Sequence, residues 1–411
     1  MPSPRPDFEP ESQAALGQWM VENYAGPSQV VLPLGGGTSP AWPREPLAGT
    51  CVVGTTRLNQ VIDYPVRDMT ITVEAGVRFG ELQRILGESG QQLPLDIAQS
   101  ELATIGGVVA TNSSGCRRFG QGTIRDALIG VSAIDVQGRL FKSGGRVVKN
   151  VAGYDLCKML IGSQGSLAII TQVTLKLRPL SHAAGVLWVP LSDLATAEPL
   201  LSSLTTSQTR PVAVELWNRQ AAQECLADIP EAVAGSAGFV CFGFEGSETE
   251  VRWQLETLAR EVRSLANQSH STLNTTSPAD FWQTLNRFQS HPCPPLFKIT
   301  APPSRVVELL SLGTRLGCSL AAHAGTGIVW GRLPEQASAE EIGSALAPLT
   351  RLANEAHGQL RLVGLPPELR RGLPESPLSA TSERLIQTLK MQLDPRHLLS
   401  PGSLVPPPRT A

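Results

Sequence analysis

Apolar positions along the first 180 residues recur at two periods, and each change of period marks an element. Over Glu11–Tyr24, Leu16, Trp19 and Met20 fall on one side of a 3.6-residue spiral, which predicts a helix. The apolar run Gln29–Leu34 predicts a strand that opens directly into Gly35-Gly36-Gly37-Thr38-Ser39. Short strands follow around Cys51–Val53 and Thr70–Glu74, and Phe79, Leu82, Ile85 and Leu86 gather on one face of a helix over Phe79–Glu88. Ala127–Val136 and Arg139–Ser143 flank Gln137-Gly138 as a hairpin, and Ser166–Leu177 is a long strand stopped by a proline.

The pattern breaks near Arg178-Pro179-Leu180-Ser181-His182. Beyond it, strands at Gly185–Leu191, Val212–Trp217 and Gly238–Phe244 are separated by helical stretches, including Glu250–Gln268. A second series runs strand Leu296–Thr300, helix Arg305–Leu316, strands Ser319–His323 and Gly327–Leu333, helix Ala339–His357 and strand Gln359–Val363. That is the β-α-β-β-α-β order of a ferredoxin-like module, and the first series reads as a looser copy of it. One antiparallel sheet or two related ones are expected. A Pro-rich stretch, Pro366–Pro377, leads to a final helix over Ser382–Leu393 and the tail Asp394–Gly402. The expectation is an α+β protein with a domain over residues 1–180 (two subdomains, breaking near 55–65), a cap over 181–365, and a segment 366–411 returning to the first domain.

Composition narrows what such a chain does. With 411 residues it is long enough for two or three domains. A formal charge of -2 argues against a nucleic-acid binder held by bulk electrostatics. No apolar run approaches the roughly 18 residues of a membrane span, and Met1–Pro10 has no apolar signal core, so a cytoplasmic protein is expected. The seven cysteines include no C-x-x-C pair; a disulfide framework, an iron-sulfur cluster and a zinc site are not expected, nor any other metal. Between Gly115 and Arg178, ten Lys/Arg (117, 118, 125, 139, 142, 146, 149, 158, 176, 178) face three acids (126, 135, 155), a local +7 that suits an anion.

The chemistry-bearing signal is glycine. Gly35-Gly36-Gly37 after a strand can turn successive main-chain amides toward a phosphate, with the Thr38 and Ser39 hydroxyls beside them. Pro40 excludes the G-x-G-x-x-G dinucleotide fingerprint, and the Gly-Lys-Ser/Thr of a P-loop is missing. A second cluster, Thr104-Ile-Gly-Gly-Val-Val-Ala-Thr-Asn-Ser-Ser-Gly115, continues into Arg117, Arg118, Gly120 and Thr123; a third comprises Gly144, Gly145, Gly153, Gly162 and Gly165. Three such loops suit a ligand as long as a dinucleotide.

Thr72-Val-Glu-Ala-Gly-Val, Phe79-Gly-Glu-Leu-x-x-x-Leu86, Ile105-Gly-Gly-Val-Val-Ala-Thr-Asn and Gly165-Ser-Leu-Ala-Ile-Ile-Thr-x-Val-Thr-Leu resemble the FAD-binding domain of the vanillyl-alcohol oxidase and p-cresol methylhydroxylase (PCMH) type. Arg146-Val-Val-Lys-Asn-Val-Ala-Gly-Tyr-Asp-Leu-Cys-Lys158 and Asp394-Pro-x-x-Leu-Leu-Ser-Pro-Gly402 resemble, more narrowly, the FAD-binding E subunit of bacterial glycolate oxidase. The resemblance implies a two-subdomain FAD domain followed by a cap. It implies FAD pyrophosphate at Gly35, Gly36, Gly37, Thr38 and Ser39, with Gly106, Gly107, Ala110, Thr111, Asn112, Ser113, Gly115 and Thr123 lining it. Ile169 and Ile170 would abut a ring. No histidine precedes His182, so the FAD is expected to be noncovalent.

In the cap, His323-Ala-Gly-Thr-Gly-Ile-Val-Trp330 resembles the His-x-Gly-x-Gly segment of flavin-dependent 2-hydroxyacid dehydrogenases, which makes His323 the candidate base. Thr326 stands where metal-binding relatives carry an acid, again arguing against a metal. Lys298 and Arg361 are candidate partners of a substrate carboxylate. The function implied first is the FAD-binding subunit of a glycolate oxidase complex, peripheral to the membrane if at all, whose partners are a related flavoprotein chain and an iron-sulfur chain. The alternatives are a self-sufficient dehydrogenase of glycolate or D-lactate and a flavin-free scaffold.

Overall fold

In a computed structural model of the chain, the described residues are 5–39, 49–145, 155–225, 235–266, 271–275, 278–290, 296–334, 337–363 and 380–403. Most of the Arg146–Lys158 motif lies outside them. Two compact units are present: residues 1–114, 123–180 and 378–411 form one, residues 115–122 and 181–377 the other.

The first unit has two cores. Strands β1 (Val30–Leu34) and β2 (Thr50–Gly54) pair in parallel and pack with Leu16 and Met20 of the helix Gln13–Ala25. The larger core lies on an antiparallel sheet of β3 (Val61–Asp63), β4 (Thr70–Glu74), β6 (Leu128–Ile134), β7 (Leu140–Gly144) and β8 (Ile169–Lys176), ordered β3-β4-β8-β6-β7; β5 (Gln91–Gln92) and β9 (Arg178–Pro179) form a separate small pair. The hairpin β6–β7 turns at Gly138 with φ +82, as the Gln137-Gly138 signal predicts.

The C-terminal helix Ala380–Leu393 and the segment after it are also part of this unit. Leu398 accepts from the Val31 amide at 2.6 Å and the Ser400 amide donates to the Val31 carbonyl at 2.9 Å, so the tail runs beside the strand that feeds Gly35. Lys390 fastens it. Its buried Nζ donates to Ser166 O at 2.6 Å, Leu399 O at 2.7 Å and Asp394 Oδ2 at 2.5 Å, while Asp394 accepts from the Leu398 and Leu399 amides. Removing one partner strands the other as a buried charge. Lys390→Met is therefore expected to lower unfolding stability by about 3–5 kcal/mol, measured by urea denaturation, and Lys390→Arg by less.

The second unit carries one antiparallel sheet of eight strands: β10 (Ala183–Leu191), β11 (Ala213–Asn218), β12 (Gly238–Gly246), β13 (Ser271–Thr275), β14 (Leu296–Thr300), β15 (Ser319–His323), β16 (Ile328–Arg332) and β17 (Gln359–Val363), in the order β13-β10-β12-β11-β15-β16-β14-β17. Each half follows the ferredoxin-like order, and the halves meet where β11 pairs β15. One face is apolar: Leu187, Val189, Val214, Leu216, Val240, Phe242, Phe297, Ile299, Leu320 and Ala322 pack against residues of the helices Glu248–Ala266, Val306–Arg315 and Ala339–Glu355. The opposite face holds the polar and aromatic positions described below.

Candidate cofactor cradle and anion site

The cradle is built where β1 ends. Gly35 and Gly36 let that loop press against residues 102–104: a Cβ on Gly35 would lie 2.2 Å from Thr104 Oγ1, and one on Gly36 1.8 Å from the Leu102 carbonyl oxygen. The glycines are thus required by the neighbouring main chain, rather than by a ligand lying on their Cβ side. What stays available is the amide edge. Among the described residues no protein acceptor takes the main-chain amides of Gly35, Gly36, Gly37 or Thr38, and residues 35–39 are all part-exposed. Gly37 has φ +66, the conformation that turns adjacent amides toward one side.

The second cluster is a helix, Ile105–Thr111, rather than the open loop its small residues suggest. Thr104 caps it by accepting from Gly107 at 3.3 Å, and Asn112, at φ 51, closes it. Gly106 is occupied by packing: its amide donates to Ala75 O and its Cβ position lies 2.7 Å from Ala75 Cβ. Gly107, Ala110, Thr111 and Ser113 are part-exposed and Asn112 is exposed. Thr111 Oγ1 donates to Gly107 O at 2.7 Å and lies 2.6 Å from Ser113 Oγ. Past Gly162 the chain grips this helix through Gly162 N to Val109 O and Gln164 N to Ala110 O, and between them the Ser163 hydroxyl is buried with no partner among the described residues. An uncommitted amide edge beside hydroxyls, with one orphaned buried hydroxyl nearby, fits a diphosphate-bearing ligand.

Three placements depart from the sequence expectations. Ile169 and Ile170 are covered by protein, Ile169 in the core with Leu16 and Ile170 in the core with Val173, so both are packing residues rather than ring walls. Thr123 spends its hydroxyl and amide on a capping box with Asp126, and that hydrogen bonding holds the Asp126 carboxyl below its usual range. Gly115 is buried and belongs to the second unit.

In the second unit, register collects the polar residues on one sheet face. Glu215 of β11 pairs Cys241 of β12 on one side and His323 of β15 on the other. His323 Nδ1 lies 2.8 Å from Glu215 Oε1 and its Nε2 lies 2.9 Å from Gln289 Nε2; Trp217 Nε1 donates to Glu215 Oε2 at 3.3 Å. With the Gln289 amide donating to Nε2, Nδ1 carries the proton and donates to the carboxylate. His323 is 4% exposed and both ring nitrogens have protein partners. The geometry is that of an internally satisfied histidine, and it offers no free nitrogen for a hydroxyl proton. The His-x-Gly-x-Gly glycines are explained by packing as well: a Cβ on Gly327, at φ +70, would meet Ala301 O at 1.8 Å.

Two residues along the same strands, Trp217, Ala321, Trp330, Lys298 and Arg361 form one cross-strand row. Lys298 Nζ lies 5.1 Å from the Trp330 ring centroid, and Arg361 is its direct register partner on β17. Burial pushes the Lys298 ammonium down to about 8, with the positive charges of Arg118 and Arg361 adding to the effect. Among the described residues no carboxylate neutralises Lys298 or Arg361. The structure therefore brings together the two residues read as carboxylate partners and adds Arg118, which the sequence shows only as one of a basic run that suits an anion. Arg117 is spoken for: it pairs with Glu245 at 2.9 Å. Among the described residues no group of three or more His, Cys, Asp or Glu could hold a metal.

Comparison with known proteins bears on the glycine loops. Residues 8–144 match the family model described as "FAD binding domain". The chain carries an FAD-binding domain of this type. Over 394 residues it is 24% identical to "Glycolate oxidase subunit GlcD" of Bacillus subtilis, covering 91% of the chain and 83% of that protein. It is 30% identical over 205 residues to "Glycolate oxidase subunit GlcE" of Escherichia coli, covering 49% of the chain and 56% of that protein. A solved structure of alkyldihydroxyacetonephosphate synthase superposes with a TM-score of 0.68 at 18% identity, covering 96% of the chain and 75% of that structure, which shows the shared α/β fold. FAD is its cofactor, and the chain is an FAD-linked oxidoreductase. Among the described residues no helix is long and apolar enough to cross a membrane.

Proposed function

We propose that this FAD-linked oxidoreductase is the FAD-carrying subunit of a glycolate-oxidase-type complex and receives a small 2-hydroxy acid by its carboxylate at Lys298 and Arg361. The observation that carries this reading is the cationic pair on the polar face of the cap sheet, part-buried, beside Trp330 and without an acidic partner among the described residues. Desolvated cations with no counter-ion favour a ligand that brings one, and a carboxylate matches the planar guanidinium of Arg361. When bound, the flavin supplies a two-electron acceptor for hydride from the carbon bearing the hydroxyl. The amides of Gly35, Gly36, Gly37 and Thr38, with the Ser39 hydroxyl, would hold its diphosphate, and Gly107, Thr111, Asn112 and Ser113 offer the adjoining part-exposed surface.

His323 orders the interior of the cap by joining β11, β15 and the helix Pro278–Ser290 through Glu215 and Gln289. Its sealed ring favours the complex over a self-sufficient dehydrogenase, because the proton acceptor must then come from another residue or from a partner chain. Relatives bearing the names of two glycolate oxidase subunits support the same choice. An iron-sulfur chain as electron acceptor belongs to this proposal.

Anaerobic addition of glycolate to the purified, yellow protein tests it. The flavin spectrum is expected to persist with the chain alone and to bleach when the related flavoprotein subunit is added. Bleaching without the partner would establish the self-sufficient dehydrogenase, and a colourless protein that takes up no added FAD would establish the scaffold.

A further inference from the structure

Residues 115–122 are part of the cap, although the chain on either side of them belongs to the first unit. Several contacts hold this short excursion, all within the cap. The Gly120 amide donates to Val212 O at 3.0 Å, and there is no space for a side chain there, since a Cβ would stand 2.7 Å from Val212 Cα. The Phe119 ring occupies the place a Cβ on Gly325 would take, at 2.5 Å. Arg117 Nη1 donates to Glu245 Oε2 at 2.9 Å, with side chains 7% and 2% exposed, and its guanidinium sits 5.4 Å from the Trp282 ring centroid. The Gln121 side-chain amide donates to the other oxygen, Glu245 Oε1.

One carboxylate thus grips the residue before and the residue ending the single turn Arg118–Gln121. Replacing a buried ion pair by apolar groups is often neutral or stabilising, so the pair is poorly accounted for by stability alone. Its two-point grip does fix the rotation of the turn, and the residue whose direction that rotation sets is Arg118, whose charge acts on Lys298.

We propose that Glu245 is a positioning residue for the anion site: by holding Arg117 and Gln121 it sets the turn between them so that Arg118 adds its charge beside Lys298 and Arg361. This rests on the reading that Lys298 and Arg361 receive a carboxylate. Arg118 then strengthens the site for carboxylates without being its first ligand, and Glu245 acts on substrate only through Arg118.

Calorimetric titration of the FAD-loaded protein with oxalate, an unreactive carboxylate probe, tests both levels. Lys298→Met is expected to weaken oxalate by at least about 30-fold, and Arg118→Met and Glu245→Gln by about tenfold each. The double variant R118M/E245Q should bind no more weakly than Arg118→Met alone, because the two changes remove one contribution. Flavin absorbance per protein should stay constant throughout. Effects of Arg118→Met and Glu245→Gln that add, or an unweakened Glu245→Gln beside a weakened Lys298→Met, would overturn the positioning role alone. No oxalate binding by the unaltered protein, or full affinity in Lys298→Met, would overturn the underlying site instead. Should Glu245→Gln fail to fold, Gln121→Ala keeps the ion pair and carries the same comparison, with about threefold weakening that vanishes in the Arg118→Met background.

Discussion

Gly36→Ala is expected to yield protein that folds but retains little FAD, with affinity down on the order of 100-fold. A single methyl suffices because its neighbours cannot yield. The added Cβ would sit 1.8 Å from the Leu102 carbonyl oxygen, 2.6 Å from the carbonyl carbon and 3.2 Å from Ala103 Cα, all main-chain atoms. Either the 35–39 loop or residues 102–104 must shift by more than an ångström. The first movement displaces the amide edge, and the second drags Thr104, whose hydroxyl caps Ile105–Thr111. The clash lies inside the protein and not in the space a phosphate would take, so alanine should act nearly as strongly as leucine. Gly343→Ala is the matched control. It lies within the helix Ala339–Glu355 with nothing within 4 Å of its Cβ position, and should raise stability by up to about 1 kcal/mol with full FAD content. Flavin absorbance after desalting reads both variants, and full occupancy in Gly36→Ala would dismiss the amide edge as the diphosphate site.

The contrast between what the chain spells out and what it hides follows from distance along the sequence. Features made by neighbours were legible: the Gln137-Gly138 turn, the amphipathic helix Phe79–Gly87 and the β-α-β-β-α-β order of the second half of the cap. The helix Ile105–Thr111 was hidden because glycine and β-branched residues fill it, and only its capping residues, Thr104 and Asn112, announce it. The short polar strand Ser271–Thr275 has no apolar alternation to read. A run such as Leu167–Thr171 shows burial but not what does the burying, which is why Ile169 and Ile170 looked like ring walls. Arg117 looked available to an anion because its partner Glu245 is 128 positions away, and His323 looked free because Glu215 is 108 positions away. Lys298 and Arg361 could be named from charge, but their pairing exists only in the register of β14 with β17.

That pairing leads to opposite changes in binding and stability for one substitution. Lys298→Met is expected to cost the carboxylate ligand roughly 30- to 100-fold in affinity while raising the melting temperature by roughly 2–4 °C. The stability gain arises because Lys298 keeps a charge that burial, Arg118 and Arg361 all disfavour, bringing it from 10.5 to about 8. The folded protein thus binds fewer protons than the unfolded chain between about pH 8 and the lysine's ordinary range. The charge burdens the fold fully below about pH 8, and the burden lifts as pH rises through that window. Ligand affinity runs the other way. The protonated ammonium attracts a carboxylate below about pH 8; above it the neutral amine does not, while Arg361 stays charged and retains a residual site. Binding of the anion favours the protonated lysine, so above about pH 8 association should take up protons, visible as a dependence of the calorimetric heat on the buffer's ionisation enthalpy. Lys298→Met should lose the affinity step near pH 8, the proton uptake and the alkaline rise in stability together. An unaltered protein whose affinity stays level through that range would show that the carboxylate is held elsewhere.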